Sequence, residues 1–157
     1  MRMKRTILII MMLCVVLGAT VTGQDSVAVR FAVETVPQSK LNPDHKQELM
    51  EKVQAILARA DAYADTSDFV VSADVVMTET RTAENTLRPM TTCEGELRLL
   101  AKNKVNGTTI NSVTLKLQST FAESADTDVL MKLVRAIKVR DSRLVRFIHN
   151  SQNRAVQ

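Results

Sequence analysis

The chain has few of the residues that catalytic, metal-binding and stacking sites require. Its 157 residues include two histidines, two cysteines, four glycines, one tyrosine and no tryptophan. The scarcity of glycine excludes a Gly-rich phosphate-binding loop, and the low aromatic content argues against stacking platforms for nucleic-acid bases or sugars. No histidine has a second histidine or a cysteine at ligand spacing, so we predict no metal site. We therefore expect a protein that is not an enzyme and that needs no cofactor.

The positions of cysteine and histidine also argue against nucleophilic catalysis. Cys93 is the one cysteine beyond the N-terminal leader, so no intramolecular disulfide is expected in the rest of the chain. It lies in an alternating segment, which predicts a buried strand position; an intermolecular disulfide or a reactive thiol is the alternative. His45 is expected in the exposed first turn of a helix and His149 near the C-terminus, so neither is expected to meet Cys93.

Two carboxylates are the remaining acid–base candidates. Glu94 and Glu96 lie on one face of a predicted strand. Their spacing puts them about 7 Å apart, because a strand rises roughly 3.3 Å per residue. Such a pair can hydrolyse glycosides, but that chemistry also needs a cleft and sugar-stacking aromatic residues. We interpret the pair as part of a solvated sheet face.

The N-terminal segment 1–23 has the pattern of a secretory signal peptide. Basic residues lead into an unbroken apolar run, Ile7 to Leu17, and small and polar residues follow up to Gly23. The apolar run of about 11 residues is shorter than the roughly 20 that span a bilayer, so we expect no transmembrane helix after cleavage. Cleavage is expected after Gly23. Cleavage after Ala19, an uncleaved anchor and lipidation at Cys14 are the alternatives.

Export would place the mature protein, predicted as residues 24–157, in the periplasm or at the outer membrane. Gln24 would then be the new N-terminus and could cyclise to pyroglutamate. Ser26 lies in an Asp-Ser-Val triplet that resembles an O-glycosylation motif of Bacteroides-type bacteria. The triplet 106–108, Asn-Gly-Thr, matches an N-glycan acceptor.

The charge is nearly balanced overall but concentrated at the C-terminus. Three of the 21 Lys and Arg residues lie in the leader, which leaves 18 basic against 17 acidic residues and argues against nucleic-acid binding. Residues 128–157 carry seven basic and two acidic groups. Arg140, Arg143 and Arg146 are therefore candidate contacts for an envelope protein, an anionic glycan or a lipid surface. A solvated helix face is the alternative.

Hydrophobic periodicity predicts the first half of the fold. Alternation over 27–34 predicts a strand. Asn42 before Pro43 is a typical helix start, and an apolar stripe extends over 43–64. Alternation over 69–78 predicts a second strand.

Two more strands and a helical end follow. Alternation predicts strands over 92–102 and 108–121, after a polar loop over 81–89, with a hairpin turn at Asn106-Gly107 where both residues tolerate positive φ. Two helices, or one kinked helix, complete the chain. Asp126 or Thr127 is expected to cap the first and Asp141-Ser142 the second, and the chain is expected to fray from Ser151.

The order β-α-β-β-β-α-α predicts one α+β domain. We expect a two-layer sandwich with a mostly antiparallel sheet, one solvated sheet face, and the helices on the other face. The order of the strands within the sheet is not predicted.

Several segments resemble small exported proteins of Bacteroides-type bacteria. They are the leader end at Gly23-Gln24 and the segments 70–76, 90–97, 105–107 and 144–148. The strand–helix–strand start also resembles domains of outer-membrane assembly factors of the curli-secretion channel type, although the lipobox usual in those factors is lacking. The resemblance implies an envelope role and no site residue.

These observations favour a non-enzymatic exported binding or adaptor protein, periplasmic or envelope-associated. The basic C-terminal region, the polar sheet face or an exposed edge strand is expected to make the contact. A self-assembling structural subunit of the envelope is the alternative, since free sheet edges would support it. The oligomeric state is left open.

Overall fold

The structure is a computed structural model that describes residues 28–84, 88–122, 124 and 127–157. The predicted signal peptide, Gln24, Ser26 and Asp126 lie outside the described residues. Seven elements follow one another in the predicted order: β1 (Ala32–Thr35), α1 (Pro43–Arg59), β2 (Phe69–Ala83), β3 (Met90–Asn103), β4 (Thr109–Ala122), α2 (Val129–Arg135) and α3 (Ser142–Ala155). The α+β class is therefore confirmed.

The four strands form one mixed sheet in the order β1-β2-β3-β4. β1 runs parallel to β2, because α1 carries the chain back across the sheet between them. β2, β3 and β4 form an antiparallel meander, with Leu97 opposite Val75 on one side and Leu115 on the other. All three helices cover the face to which these residues belong, and none of the described helices covers the other face, which we call the open face.

The core lies between the helices and the covered sheet face. Leu49, Val53 and Ile56 form the inner stripe of α1 at helical spacing and are fully buried. The two C-terminal helices complete the layer with fully or almost fully buried residues: Leu133, Val134, Leu144, Phe147 and Ile148. This burial is the main term that holds the two layers together.

α1 begins as predicted and ends five residues earlier than predicted. The Asn42 side chain accepts a hydrogen bond from the His45 N–H (2.8 Å), with Pro43 in the first turn. Asp61 adopts a positive φ of 49°, and the Ala62 N–H then donates to the Leu57 carbonyl (2.9 Å). These are the features of a left-handed helix stop, here with aspartate in place of the usual glycine.

The strand ends and the hairpin turn differ in part from the prediction. β1 begins only at Ala32, after an isolated bridge between Phe31 and Tyr63. β2 continues to Ala83, into the segment predicted as loop, because β3 pairs with it as far as Met90. The hairpin connection between β3 and β4 occupies residues 104–108 and contains Asn106 and Gly107 as predicted, but only Gly107 has a positive φ.

The C-terminal helices are two separate helices. Asp128 caps α2 by accepting the Met131 N–H (2.9 Å), so the predicted capping by Asp126 or Thr127 is wrong. Asp141 caps α3 as predicted, through the Arg143 N–H (2.9 Å).

The predicted fraying from Ser151 is also wrong. α3 continues to Ala155, Ser151 is fully buried, and the Gln152 side chain donates to the Val29 carbonyl (2.9 Å). The last turns of α3 are thus held by distant parts of the chain.

Candidate functional site

His45 is buried, in contrast to its predicted exposed position. The residue is only 5% exposed, and its Nε2 lies 2.6 Å from Oδ2 of Asp128, the residue that caps α2. The N-terminal turns of α1 and α2 therefore meet through this pair. The Met131 N–H holds the pKa of Asp128 below its usual value, burial acts in the opposite direction, and the hydrogen bond with His45 also lowers the pKa.

The remaining candidates for metal or nucleophilic chemistry stay apart. His149 is exposed on α3, and Cys93 is fully buried in β3, where its thiol donates to the Ser119 carbonyl (3.4 Å). Burial raises the pKa of the Cys93 thiol. Among the described residues, no group of three His, Cys, Asp or Glu residues could hold a metal ion. The predicted burial of Cys93 is confirmed.

The open sheet face carries ion pairs rather than a carboxylate site. Glu96 accepts hydrogen bonds from the guanidinium of Arg98 on the same strand (2.8 and 3.1 Å). The carboxylate of Glu96 is therefore already paired with a cation, unlike an acid–base group that is free to act on a substrate. Both glutamates are partly exposed, which agrees with a solvated sheet face.

A second cluster on this face joins three strands. Glu34 of β1 accepts a hydrogen bond from Ser72 of β2 (2.8 Å) and pairs with Lys102 of β3. Burial acts to raise the pKa of Glu34, but the hydrogen bonds from Lys102 and Ser72 outweigh it, so the pKa lies below its usual value.

The outer edge of β4 borders a basic groove. Two adjoining cavities of about 420 and 290 Å³ follow this edge and share Leu115 and Arg143 in their linings. We call this channel the β4 groove. One side is β4 from Asn111 to Thr120; the opposite side is the α2–α3 connection and α3. Its charged lining residues are Lys116, Lys138, Asp141, Arg143 and Arg146.

Four cations face one carboxylate in the β4 groove, and that carboxylate already has a partner. Asp141 binds the guanidinium of Arg143 (2.7 Å), which holds the pKa of Asp141 below its usual value. Arg146 makes no ion pair with any residue that the structure describes. The groove is therefore suited to a ligand that brings carboxylates or other anionic groups.

The structure separates the three arginines that the sequence analysis grouped. Arg143 and Arg146 line the β4 groove, whereas Arg140 is exposed in the turn before α3 and is not part of the lining. Lys116 and Lys138 join the two arginines from other elements. Their proximity depends on how α3 packs on β4, a long-range contact that local sequence patterns do not show.

The peptide groups of β4 are a further feature of this site. No described strand pairs with the outer edge of β4, and the edge continues for 14 residues. Such an edge presents a row of free N–H and C=O groups that another chain can pair with.

Within the described residues, none of the helices has the length and apolar character needed to span a membrane.

No protein-family model matches the chain, and neither does any curated protein sequence. Among solved structures, the chain is similar to a minor lipoprotein from Acinetobacter baumannii, with a TM-score of 0.51 and 13% identity over 82% of this chain and 96% of that one. A lipoprotein from Neisseria meningitidis gives a TM-score of 0.35 and 17% identity over 78% and 95% of the two chains. A PelC dodecamer from Paraburkholderia phytofirmans gives a TM-score of 0.45 and 11% identity over 80% of this chain and 90% of that one. The Acinetobacter likeness shows a shared fold and transfers no site residue.

Proposed function

We propose that the chain is an exported, envelope-associated binding or adaptor protein without catalytic activity, and that its partner binds at the β4 groove. The observation that carries the proposal is the unpaired edge of β4 beside a cluster of basic side chains. The signal-peptide pattern of residues 1–23 motivates export. The Acinetobacter protein that shares the fold is itself a lipoprotein.

Charge is expected to select the partner. Arg146 lines one end of the β4 groove and Lys138 lines the other, and both side chains are exposed. An acidic partner that lies along the groove would therefore meet a cation at each end. Complementary charge speeds association and suppresses partners of the wrong sign. A protein of the envelope with an acidic segment is the partner that this surface fits.

Charge reversal at Arg146 tests the proposal. The tagged protein is purified from the envelope of its own host as wild type, as Arg146→Glu and as Arg59→Glu. Arg59 is a matched control because it is also an exposed helical arginine, at the end of α1 and outside the β4 groove. We expect the wild type and Arg59→Glu to retain the same partner and Arg146→Glu to lose most of it.

Two results would contradict the proposal. Equal recovery of the partner by Arg146→Glu would exclude the β4 groove as the binding surface. Recovery of the wild type alone, outside the envelope fraction, would exclude the adaptor function.

Self-assembly into an envelope structure is a second candidate, because both edges of the sheet lack a partner strand among the described residues. The edge opposite β4 consists of the short strand β1 and, beyond Ala73, of the stretch of β2 that β1 does not reach. A strand edge of one copy could therefore pair with the other edge of a second copy. Analytical ultracentrifugation over a wide concentration range tests for self-assembly. An apparent mass that grows with protein concentration would support assembly, and a constant monomer mass would exclude it.

A further inference from the structure

We infer that the β4 groove binds an extended acidic polypeptide segment, which pairs its backbone with β4 as a fifth strand. This inference rests on the proposed function and names its partner class. It requires an accessible strand edge, room beside that edge, and a reason for an acidic rather than an apolar or basic strand.

The edge is long and regular enough for strand addition. The pairing of β3 with β4 has a single irregularity, between Ala101 and Lys102, which lies at the beginning of β4. From Asn111 to Thr120 the strand continues without interruption, a length of about 33 Å at roughly 3.3 Å per residue. Peptide groups in such a stretch point outward at every second residue, which gives an added strand a continuous ladder of hydrogen bonds.

The side chains on both sides of the edge favour carboxylates. Arg143 and Arg146 stand on the α3 side of the groove, and Lys138 stands on the α2–α3 connection. On the open face of the sheet, Lys116 is exposed beside the same edge. Since the side chains of an added strand alternate between the two faces, acidic groups that face α3 would lie beside the arginines.

The same charges argue against a second copy of β4 as the occupant. An antiparallel pair of two β4 strands would bring two copies of Lys116, Arg143 and Arg146 together across the interface. Like charges placed opposite each other destabilise a strand pair. The β4 edge therefore selects a partner of opposite charge.

The opposite edge of the sheet is less suited to strand addition. β1 offers only four residues, and β2 has an irregularity between Met77 and Glu79, within the stretch that β1 leaves unpaired. Glu79 and Arg81 form an exposed ion pair next to it (2.6 Å). Bulges and charged side chains are typical devices that protect an edge from pairing.

Synthetic peptides test the inference on the purified protein. The probe is a ten-residue peptide, capped at both ends, that alternates valine with glutamate. Three control peptides are used. The first has lysine in place of glutamate. The other two are glutamate peptides with N-methylated backbone amides, one methylated at the odd-numbered residues and one at the even-numbered residues, which we call the two N-methylated frames. Binding is measured by calorimetry and by hydrogen exchange of the β4 amides.

Strand addition predicts a specific set of results. The glutamate peptide binds and slows amide exchange in residues 111–120, and the lysine peptide does not bind. One N-methylated frame loses binding, because its methyl groups replace the hydrogens that face β4, and the other frame keeps it. Arg146→Glu weakens the binding roughly tenfold, whereas Arg59→Glu leaves it unchanged.

Other results would overturn the inference and leave the proposed function standing. Equal binding by both N-methylated frames would mean that the groove binds polyanions without backbone pairing. Binding to phosphatidylglycerol vesicles but not to the glutamate peptide would mean that the groove recognises a lipid surface. Loss of envelope association by Arg146→Glu together with no peptide binding would mean that the partner is not an extended acidic segment.

Discussion

At the scale of single residues, Gly95 determines how closely α2 approaches the sheet. A Cβ at this position would lie 2.7 Å from the Val76 carbonyl oxygen and 2.8 Å from Cδ1 of Leu133. The first of these atoms belongs to the backbone and cannot rotate away. The absence of a side chain in the middle of β3 is thus what allows Leu133 to pack directly against the strand.

We expect Gly95→Ala to lower the free energy of unfolding by about 1–3 kcal/mol, because the added methyl group overpacks this contact. Urea unfolding measures the change. Ser112→Ala, at an exposed position of β4, is the control and is expected to stay within about 0.5 kcal/mol of the wild type. An unchanged unfolding midpoint for Gly95→Ala would show that α2 does not pack on Gly95.

The pair of His45 and Asp128 can be separated from helix capping, because Asp141 has the same capping role and its partner, the Arg143 guanidinium, is exposed, so that the loss of that ion pair costs little. Each Asp→Ala change removes one N-cap, which costs about 1 kcal/mol. Asp128→Ala also leaves the buried Nε2 of His45 without its acceptor. We expect Asp128→Ala to be more destabilising than Asp141→Ala by about 1–3 kcal/mol, since that is the cost of a buried unsatisfied polar group. Equal losses in thermal or urea unfolding would show that the pair adds nothing to capping.

At the scale of elements, the C-terminal half of α3 is fixed by side chains from outside the helix. The Asn111 amide donates to Ser151 Oγ (3.2 Å) and to the Phe147 carbonyl (3.4 Å), and Arg154 donates to Asn111 Oδ1 (3.1 Å). These bonds join the beginning of β4 to the end of α3. They also hold the α3 side of the β4 groove in place.

Hydrogen exchange tests this docking. The amides of residues 148–155 are expected to be protected in the wild type, and Asn111→Ala is expected to speed their exchange more than that of α1. Ser112→Ala, one residue further along β4, serves as the control. Exchange of residues 152–155 at the rate of an unstructured chain in the wild type would contradict the docked helix end.

At the scale of the whole molecule, stability is expected to fall in acid through the Glu34 cluster. The pKa of Glu34 is lower in the folded protein than its reference value of 4.5. The unfolded state therefore takes up the proton first, and the stabilisation is complete above pH 4.5 and is lost as the pH falls through the folded pKa.

Glu34→Gln is expected to flatten this acid decline and to lower stability at neutral pH, since Lys102 loses its counter-ion. Unfolding free energies measured between neutral pH and pH 3 provide the test. Glu79→Gln is the comparison, because its pair with Arg81 also lowers the pKa of Glu79 but is exposed to solvent. We expect Glu79→Gln to change the pH dependence of stability less than Glu34→Gln does, since water screens an exposed pair. Equal pH profiles for Glu34→Gln and the wild type would contradict the prediction.

The two-layer architecture explains why charge accumulates on one side of the molecule. Within the basic C-terminal region, α3 packs against β4, the last strand of the sheet, whereas α2 lies over the central strand β3. The positive side chains therefore lie beside the free edge. This juxtaposition of charge and unpaired backbone is the basis of the proposed function.

The sequence by itself determined the order and type of the elements. Local periodicity and capping act within a few residues, so the alternation around Leu97, the start of α1 at Asn42 and the start of α3 at Asp141 were predictable. The burial of Cys93 followed from the same alternation. Element ends were predicted less well where distant pairing decided them, as at Ala83, which β3 holds in the sheet.

Only the tertiary structure decided the strand order and the long-range pairs. His45 and Asp128 are separated by 83 residues in the chain, and Glu34 and Ser72 by 38. No local pattern encodes such a contact, because it depends on how whole elements pack. The β4 groove has the same origin: residues 111–120 and 138–146 become neighbours only after α3 has packed on the last strand.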